Sequence, residues 1–267
     1  MTSTQYAIVF FTAALSGAIN SVAGGGTLLT YPVLVSVIGL DPKIANATNT
    51  MALWPASVAG ALSFRKYLED IRHLAWPFCI VSAVGGTAGS VLLYTTPTKT
   101  FEAVVPWLIV MAAVLFVGHE PVMRRLGIHP LPEGEMPEYT PKAWRILLCA
   151  QFMVSVYGGY FGAGIGIMML ASLSVMRFGD LFRVNALKNL AAFLINVFAA
   201  VLFGILGLVA WKVAGVMAAG ATCGALFGAG GAKAIGPRNL RMVISIYGFV
   251  IAGCYIYKNI AGHFPWG

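Results

Sequence analysis

Charged side chains are scarce in this sequence of 267 residues. They make up 10% of the chain, whereas hydrophobic residues make up 59%. Soluble domains usually carry about 25% charged and about 45–50% apolar residues. A 28.3 kDa globule in water could not hide this much apolar surface, because a chain of that size leaves a large share of its surface exposed. The composition therefore predicts an all-α integral membrane protein with room for one membrane domain.

Groups that carry chemistry are also few. The four cysteines stand singly inside apolar stretches, so neither disulfides nor zinc sites are expected. The histidines lie in or beside loops without the spacing of metal ligands, and no H-E-x-x-H, G-x-S-x-G or Walker A motif occurs. We therefore expect no enzyme activity, metal or cofactor. The net charge of +8 is interpreted as a signal of membrane topology rather than of a nucleic-acid partner.

Apolar stretches separated by glycine, proline and charge predict the helices. The first has neither a basic region before it nor a small-residue cleavage site after it, so we expect it to be a retained membrane segment. The stretches predict about eight to ten membrane segments and lie at 6–22, 27–40, 44–64, 73–95, 101–118, 144–160, 165–178, 183–204, 209–232 and 239–257. A polar stretch with five prolines, His119 to Lys142, divides the chain. The predicted organisation is a first membrane repeat at 1–118, a linker at 119–143 and a second repeat at 144–267.

The two halves resemble each other. Five residues recur 140 positions later, namely Gly24, Gly26, Asn49, Ala59 and Pro97, and three recur 135 positions later, namely Trp76, Gly85 and Gly89. The change of offset fits one loop, Arg65 to Arg72, that is longer in the first half. Duplicated transporters show this kind of weak internal symmetry.

Residues 6–40 decide the predicted topology. One helix of that length would be about 52 Å long, well beyond a ~30 Å hydrocarbon core. The run Gly24-Gly25-Gly26 is the natural break, because glycine weakens a helix. The two pieces either cross twice or form a hairpin that ends inside the membrane, and both arrangements return the chain to its starting side.

Basic residues then distribute unevenly between the two sides. One side holds four, namely Lys43, Lys99, Lys212 and Lys258, and the other holds twelve, namely Arg65, Lys66, Arg72, Arg124, Arg125, Lys142, Arg145, Arg177, Arg183, Lys233, Arg238 and Arg241. Without the split this bias disappears. The positive-inside rule therefore predicts two inverted repeats, with both termini outside and the central linker in the cytoplasm.

Two glycine-rich elements are the most informative motifs. They are Gly24-Gly25-Gly26-Thr27 and Gly162-Ala163-Gly164-Ile165-Gly166. A glycine turn that opens a short helix presents free N–H groups and the positive end of the helix dipole, and this combination binds anions. Broken backbone is tolerated at membrane depth only where protein or a cavity satisfies it. Tight helix packing is the alternative, but the paired occurrence favours a site.

Polar residues follow each glycine element, in Asn46-Ala47-Thr48-Asn49-Thr50 and in Asn185-Ala186-Leu187-Lys188-Asn189. A lysine toward the membrane centre costs about 2.5–3.5 kcal/mol, so Lys188 is expected to face a cavity or a partner. Snorkelling to the membrane surface is the alternative for Lys188. Further polar residues lie at depth, where hydrogen bonds between helices explain them as well as substrate contact does: Asn20, Gln151, Tyr157 and Asn196.

The first glycine element and its surroundings resemble a known family. The run from Ile19 to Pro32, followed by Ala45-Asn46-Ala47-Thr48-Asn49, is similar to the sulfite exporter TauE/SafE family of bacterial membrane proteins. The resemblance extends over nearly the whole chain. It implies a multi-pass transporter of the bacterial cytoplasmic (inner) membrane that moves small sulfur-containing anions, among them sulfite and organosulfonates.

The sequence thus predicts a secondary carrier that works by alternating access around a central anion site. The expected partners are a small anionic substrate, the lipid bilayer and a second copy of the chain in a homodimer. A channel-like anion permease and a carrier for another small carboxylate or oxyanion are the alternatives. The predicted substrate-binding residues are Asn20, Gly24, Gly25, Gly26, Thr27, Asn46, Thr48, Asn49, Gly162, Gly164, Gly166, Asn185, Lys188 and Asn189.

Overall fold

A computed structural model defines the fold and describes residues 1–22, 25–63, 65–69, 71–125, 140–174, 181–228 and 237–261. This part of the chain is helical and contains no strand. Its α-helices are α1 (Ser3–Val22), α2 (Gly26–Ser36), α3 (Pro42–Ser63), α4 (Arg72–Thr95), α5 (Thr98–Arg125), α6 (Pro141–Tyr160), α7 (Ile165–Ser174), α8 (Leu181–Ile205), α9 (Trp211–Cys223) and α10 (Pro237–Ala261). A 3₁₀ turn (Arg65–Leu68) precedes α4, and a π-helical turn (Gly224–Gly228) continues α9.

The predicted all-α architecture is confirmed, with one helix for each predicted apolar stretch. Helix α9 ends at Cys223 and passes into the π-helical turn, and residues 229–232 of the predicted apolar stretch lie outside the described residues. Helices α5 and α6 also reach into the polar stretch, so that α5 ends at Arg125 and α6 begins at Pro141. Residues 126–139, the centre of the predicted linker, lie outside the described residues.

The outer surface of the helices is apolar. By length and composition, four helical segments can cross a membrane: Arg72–Thr95, Thr98–Gly118, Phe182–Ile205 and Asn239–Tyr257. Large apolar side chains are exposed around the molecule, and Phe11, Trp76, Trp107 and Trp211 each expose more than half of their surface. Soluble monomers rarely expose so large an apolar surface. The chain is therefore a multi-pass membrane protein whose exposed side chains face lipid.

The two halves contribute helices to a common bundle in equivalent ways. Helix α1 packs on α9 as α6 packs on α4, and α3 packs on α9 as α8 packs on α4. Likewise α2 contacts α10 as α7 contacts α5, while α3 pairs with α8 and α5 pairs with α10. Exchanging the first five helices for the last five therefore reproduces the main contacts. Both apolar cores contain residues of both halves, and so do the most extensive helix interfaces, which are α1–α9, α4–α6, α3–α8, α4–α8 and α5–α10.

Glycines let the crossing helices touch at the same relative positions in both halves. A Cβ atom on Gly17 would overlap the carbonyl oxygen of Ala221, and a Cβ atom on Gly159 would overlap the carbonyl oxygen of Gly86. Gly159 follows Gly17 by 142 residues, and Ala221 follows Gly86 by 135 residues. Small residues allow this close approach of helix backbones in membranes. The crossings α1–α9 and α4–α6 are thus equivalent down to the backbone contact.

Helices α1 and α2 form a hairpin. The amide of Gln5, in the first turn of α1, donates a hydrogen bond of 3.2 Å to the carbonyl of Val37, which follows α2. Gly26, at the start of α2, lies against Ser16 in the middle of α1. Helix α2 has 11 residues and so rises only about 16 Å. The first glycine break therefore lies inside the bundle, and α2 returns the chain to the end at which α1 begins.

Helix α7 runs toward the opposite end of the bundle from α2. Beyond α2, the Lys43 ammonium donates to the carbonyl of Thr96 at 2.8 Å, which places this end beside the C-terminus of α4. Met169 and Leu173 of α7 belong instead to an apolar cluster with Ile71 and Leu74, at the start of α4. The N-termini of α2 and α7 therefore both lie inside the bundle, and the two short helices diverge from there.

Candidate functional site

Glycines in the left-handed backbone region make both breaks possible. Gly25 has φ 91° before α2, while Gly162 and Gly164 have φ 80° and 78° before α7. Residues with a Cβ atom are strained in this region, whereas glycine adopts it freely. The N–H groups of Gly26 and Gly166, just inside the two helices, form no backbone hydrogen bond with any described residue. Both helices thus present unpaired donors and the positive ends of their dipoles.

One aromatic ring lies between the two breaks. A Cβ atom on Gly25 would overlap the ring of Phe116 in α5, and a Cβ atom on Gly164 would lie 3.6 Å from Cε2 of the same ring. Phe116 is 2% exposed. Two backbone segments in contact with one ring lie within roughly 10 Å of each other. The fold therefore brings the two predicted glycine elements together inside the protein.

In the first half, Asn49 connects α3 to the start of α2. The hydroxyl of Thr30 donates to Asn49 Oδ1 at 2.5 Å, and Asn49 Nδ2 donates to the hydroxyl oxygen of Thr27 at 3.1 Å. Thr30 Oγ1 also lies 3.1 Å from the carbonyl oxygen of Gly26. Because the Thr27 oxygen accepts from Asn49, its own proton is directed elsewhere. Thr27 can therefore donate to a ligand at the N-terminus of α2.

Ser16 adds a further polar atom at this position. Its side chain is fully buried and its Oγ atom lies directly against Gly26. The hydroxyl has no hydrogen-bond partner among the described residues. Buried polar groups are nearly always hydrogen-bonded in native proteins. We define the first half-site as Ser16, Gly26 and Thr27.

In the second half, Lys188 lies beside the start of α7. A Cβ atom on Gly166 would lie 3.9 Å from Cδ of Lys188, and the Lys188 side chain is mostly buried. The charge of Arg241 in α10 acts on Lys188. Within the described ranges, Lys188 and its neighbour Asn189 form no side-chain hydrogen bond, and no acidic residue pairs with Lys188. We define the second half-site as Gly166, Lys188 and Asn189.

The other predicted site residues have different positions. Thr48 is fully buried and accepts a hydrogen bond from the Ala210 backbone at 3.0 Å, and buried Asn46 donates to the carbonyl of Tyr160 at 3.0 Å. Asn20 is exposed near the end of α1, and Asn185 lies one turn before Lys188. Gly24 lies outside the described residues. Thr48 thus connects α3 to the residue before α9, and Asn46 connects α3 to the end of α6.

Two of the polar residues at depth connect helices, and a third fixes a turn. The Gln151 amide donates to Ser82 at 2.9 Å and joins α6 to α4. The Asn196 amide donates to Ser57 at 2.9 Å and joins α8 to α3. The Tyr157 hydroxyl donates to the carbonyl of Ala163 at 2.6 Å and so fixes the second glycine turn.

A cavity of about 300 Å³ lies away from the glycine turns. It is formed between the first turns of α4 and the middle of α8 and is lined by Leu68, Arg72, Ala75, Trp76, Cys79, Leu190 and Leu194. Its lining is almost entirely apolar, and Trp76 is largely exposed to the lipid-facing surface. An apolar groove of this kind does not suit a small anion.

Comparison with known proteins identifies the family. The sequence profile described as "Sulfite exporter TauE/SafE" matches residues 9–255. The chain belongs to the TauE/SafE family. A "Probable membrane transporter protein" of Haemophilus influenzae is 29% identical over 265 residues, which cover 97% of each chain. The "Probable membrane transporter protein YfcA" of Escherichia coli K12 is 28% identical over 262 residues, which cover 94% of this chain and 90% of the relative. No solved structure matches the chain significantly.

For this TauE/SafE protein, sequence analysis found both glycine elements but missed three residues around them. Thr30 could have been found, because it follows Thr27 by three residues and therefore shares its helix face. Ser16 and Phe116 carried no signal, since a lone serine and a lone aromatic residue are ordinary in apolar helices. Only the fold brings them to the glycine turns.

Proposed function

We propose that this protein is a secondary transporter for a small sulfur-containing anion, such as sulfite or an organosulfonate, in the bacterial inner membrane. The observation that carries the proposal is the position of Lys188. It is a mostly buried cation against the N-terminus of α7, with a second positive charge nearby and no acidic partner among the described residues. Ionisable groups in a membrane domain are costly and normally paired. An anionic substrate would supply the missing counter-charge.

The second half-site offers a complete set of contacts for an oxyanion. The Gly166 N–H and the Asn189 amide would donate hydrogen bonds to anion oxygens, and the Lys188 ammonium would neutralise the charge. Helix N-termini and cationic side chains together bind anions without a metal or cofactor. The family profile and the names of the two relatives, each given as a probable membrane transporter protein, support this class of function.

The first half-site offers neutral donors. The Gly26 N–H and the Thr27 hydroxyl would hold the anion on that side, with the buried Ser16 hydroxyl beside them. Asn49 holds Thr27 in place through the hydrogen bond of 3.1 Å. The substrate would therefore meet a cation at one half-site and hydroxyls at the other.

The way the halves pack supports a mechanism of alternating access. Because the same helix contacts occur in both halves, we propose that they form an inverted repeat, with both termini outside and the central linker in the cytoplasm. Rocking of one half against the other would then expose the two half-sites to opposite sides of the membrane in turn. The divergence of α2 and α7 toward opposite ends of the bundle supports this proposal.

The test is anion uptake into proteoliposomes with wild-type protein, Lys188→Ala and the exposed control Lys99→Ala, using radiolabelled sulfite and methanesulfonate. Hydrogen bonds to charged groups are worth about 1.5–3 kcal/mol, so Lys188→Ala should reduce apparent affinity about ten- to hundredfold. Lys99→Ala should behave as wild type. Equal uptake by Lys188→Ala and wild type would refute the site.

The same preparation distinguishes the alternative functions. Saturable uptake without resolvable currents supports a carrier, whereas unitary currents in planar bilayers would indicate a channel. Binding to the native state raises the thermal unfolding midpoint. A thermal-shift series with sulfite, sulfate, methanesulfonate and acetate in detergent would therefore rank the candidate substrates. A larger shift with acetate than with either sulfur anion would assign the site to carboxylates.

A further inference from the structure

The ring of Phe116 contacts the glycine turns that lead into both half-sites. Its Cζ and Cε atoms lie against Gly25, its Cε2 atom lies near Gly164, and both glycines directly precede the helices that present the anion-binding N–H groups. Ala112, one turn earlier on α5, also lies against Gly164, at 3.7 Å from the position of a Cβ atom. The face of α5 with Ala112 and Phe116 is therefore packed between the two breaks.

This position is unfavourable for a passing anion. A phenylalanine ring is apolar and has no N–H or O–H group that could replace the water around an anion. Phe116 is 2% exposed, so the ring fills its site instead of lining a water-filled path. The backbone turns that precede both anion-binding helix starts therefore contact one buried apolar ring.

We infer that Phe116 is the barrier between the two half-sites, and that an anion crosses only when the ring leaves the space between Gly25 and Gly164. This inference rests on the proposed transport function. Phe116 binds no substrate; it separates two binding positions and prevents a continuous path. Apolar constrictions act as barriers to ions in this way in channels.

The glycines on either side are part of the same arrangement. A side chain at Gly25 would be strained, because the backbone there is left-handed, and it would also collide with the ring of Phe116. Only a residue without a Cβ atom lets the ring pack directly against the backbone at this position.

The experiment measures passive chloride release from loaded proteoliposomes with an ion-selective electrode and no sulfur anion present. Phe116→Ala should release chloride at least ten times faster than wild type, and Phe116→Leu should give a smaller increase. The matched control is Phe203→Ala, because Phe203 is fully buried near the far end of α8. Phe203→Ala should stay at the wild-type rate although it also removes a buried ring.

The outcomes separate the barrier from the transport function. If Phe116→Ala does not fold, which size-exclusion chromatography shows, Phe116→Leu carries the test. Release by the folded Phe116 variants at the Phe203→Ala rate would overturn the inference, even if the wild type transports sulfite or methanesulfonate. Rapid chloride release by Phe116→Ala from a protein whose wild type moves neither sulfur anion would support the barrier and refute the proposed substrate class.

Discussion

Replacing Asn49 with alanine distinguishes a structural role of this residue from direct contact with the substrate. The Asn49 side chain is 1% exposed, and it accepts a hydrogen bond from Thr30 and donates one to Thr27. Both bonds join α3 to the first turns of α2. If Asn49 acts mainly by fixing α2, its loss should lower the stability of the whole protein.

The magnitude follows from the two hydrogen bonds. Interhelical bonds in membranes contribute about 0.6 kcal/mol each on average, and a typical net value in proteins is about 1 kcal/mol. Thr30 retains the Gly26 carbonyl as an acceptor, so only Thr27 loses its sole side-chain partner. We therefore expect Asn49→Ala to destabilise the protein by about 1–3 kcal/mol. At roughly 2–4 °C per kcal/mol, the unfolding midpoint should fall by several degrees.

The assay is thermal unfolding of purified protein in detergent, with and without sulfite. The matched control is Asn189→Ala, because Asn189 holds the equivalent position in the second half and forms no side-chain hydrogen bond with the described residues. Asn189→Ala should leave the midpoint without sulfite unchanged and reduce the shift that sulfite produces. The reasoning is refuted if Asn49→Ala keeps the wild-type midpoint but loses the sulfite shift, since Asn49 would then be a ligand only.

Two further predictions concern stability. Gly159→Ala should destabilise the protein by about 1–3 kcal/mol or more, because the new Cβ atom meets the Gly86 carbonyl. Gly215→Ala is the control: no atom lies within 4 Å of its new Cβ atom, so this variant should be neutral or stabilising by up to ~1 kcal/mol. Equal unfolding midpoints for the two variants would contradict the helix contact. Ser16→Ala removes a buried hydroxyl without a partner, so the anion-free midpoint should stay or rise while the sulfite shift shrinks. A lower midpoint for Ser16→Ala in chemical or thermal unfolding would show that the hydroxyl stabilises the fold.

Sequence predicted the helices well because the membrane imposes simple rules on them. In lipid, each apolar stretch must pair its backbone N–H and C=O groups by internal hydrogen bonds, so it forms a helix. Glycine, proline and charged residues marked the helix ends. The break at Gly25 was predictable for the same reason, since a helix through residues 6–40 would have been too long for a bilayer. Whether the broken pieces cross or turn back was not predictable. That depends on contacts such as Gln5 with Val37, which lie far apart in sequence.

The candidate site was predictable only in part. Polar and glycine residues stand out in an apolar sequence, so Lys188, Asn49 and Gly166 could be selected by composition alone. What each of them contacts could not be predicted, because a helix face is fixed by its neighbours. Asn49 thus turned out to be hydrogen-bonded on both sides of its amide, whereas Lys188 has no acidic partner in the described part of the chain.

The proposed internal repeat would explain why the half-sites differ although the helices around them pack in the same way. The sequence offset is 142 between α1 and α6, 140 around the glycine turns, and 135 between α4 and α9. The change from 140 to 135 falls in a connecting segment, because the 3₁₀ turn Arg65–Leu68 occurs only in the first half of the described chain. The change from 142 to 140 falls at the end of the first helix of each half. Helix α1 continues to Val22, whereas α6 ends at Tyr160, which corresponds to Ala18, so three residues separate α1 from α2 and four separate α6 from α7. Length changes in connecting segments cost little stability. A one-residue slip inside a helix would instead turn its face by about 100° and separate the glycines from the carbonyls they contact.

Helix register is therefore constrained by packing, whereas side chains at the helix starts are not. At the offset of 140, Thr27 corresponds to Ile167 and Thr48 corresponds to Lys188. Two half-sites of equal affinity would hold an anion equally well on both sides. In the proposed carrier, Lys188 would bind the anion more tightly at the second half-site, and the hydroxyls of the first half-site would release it more readily. The difference between the two halves would then give the carrier one side that captures the anion and one that releases it.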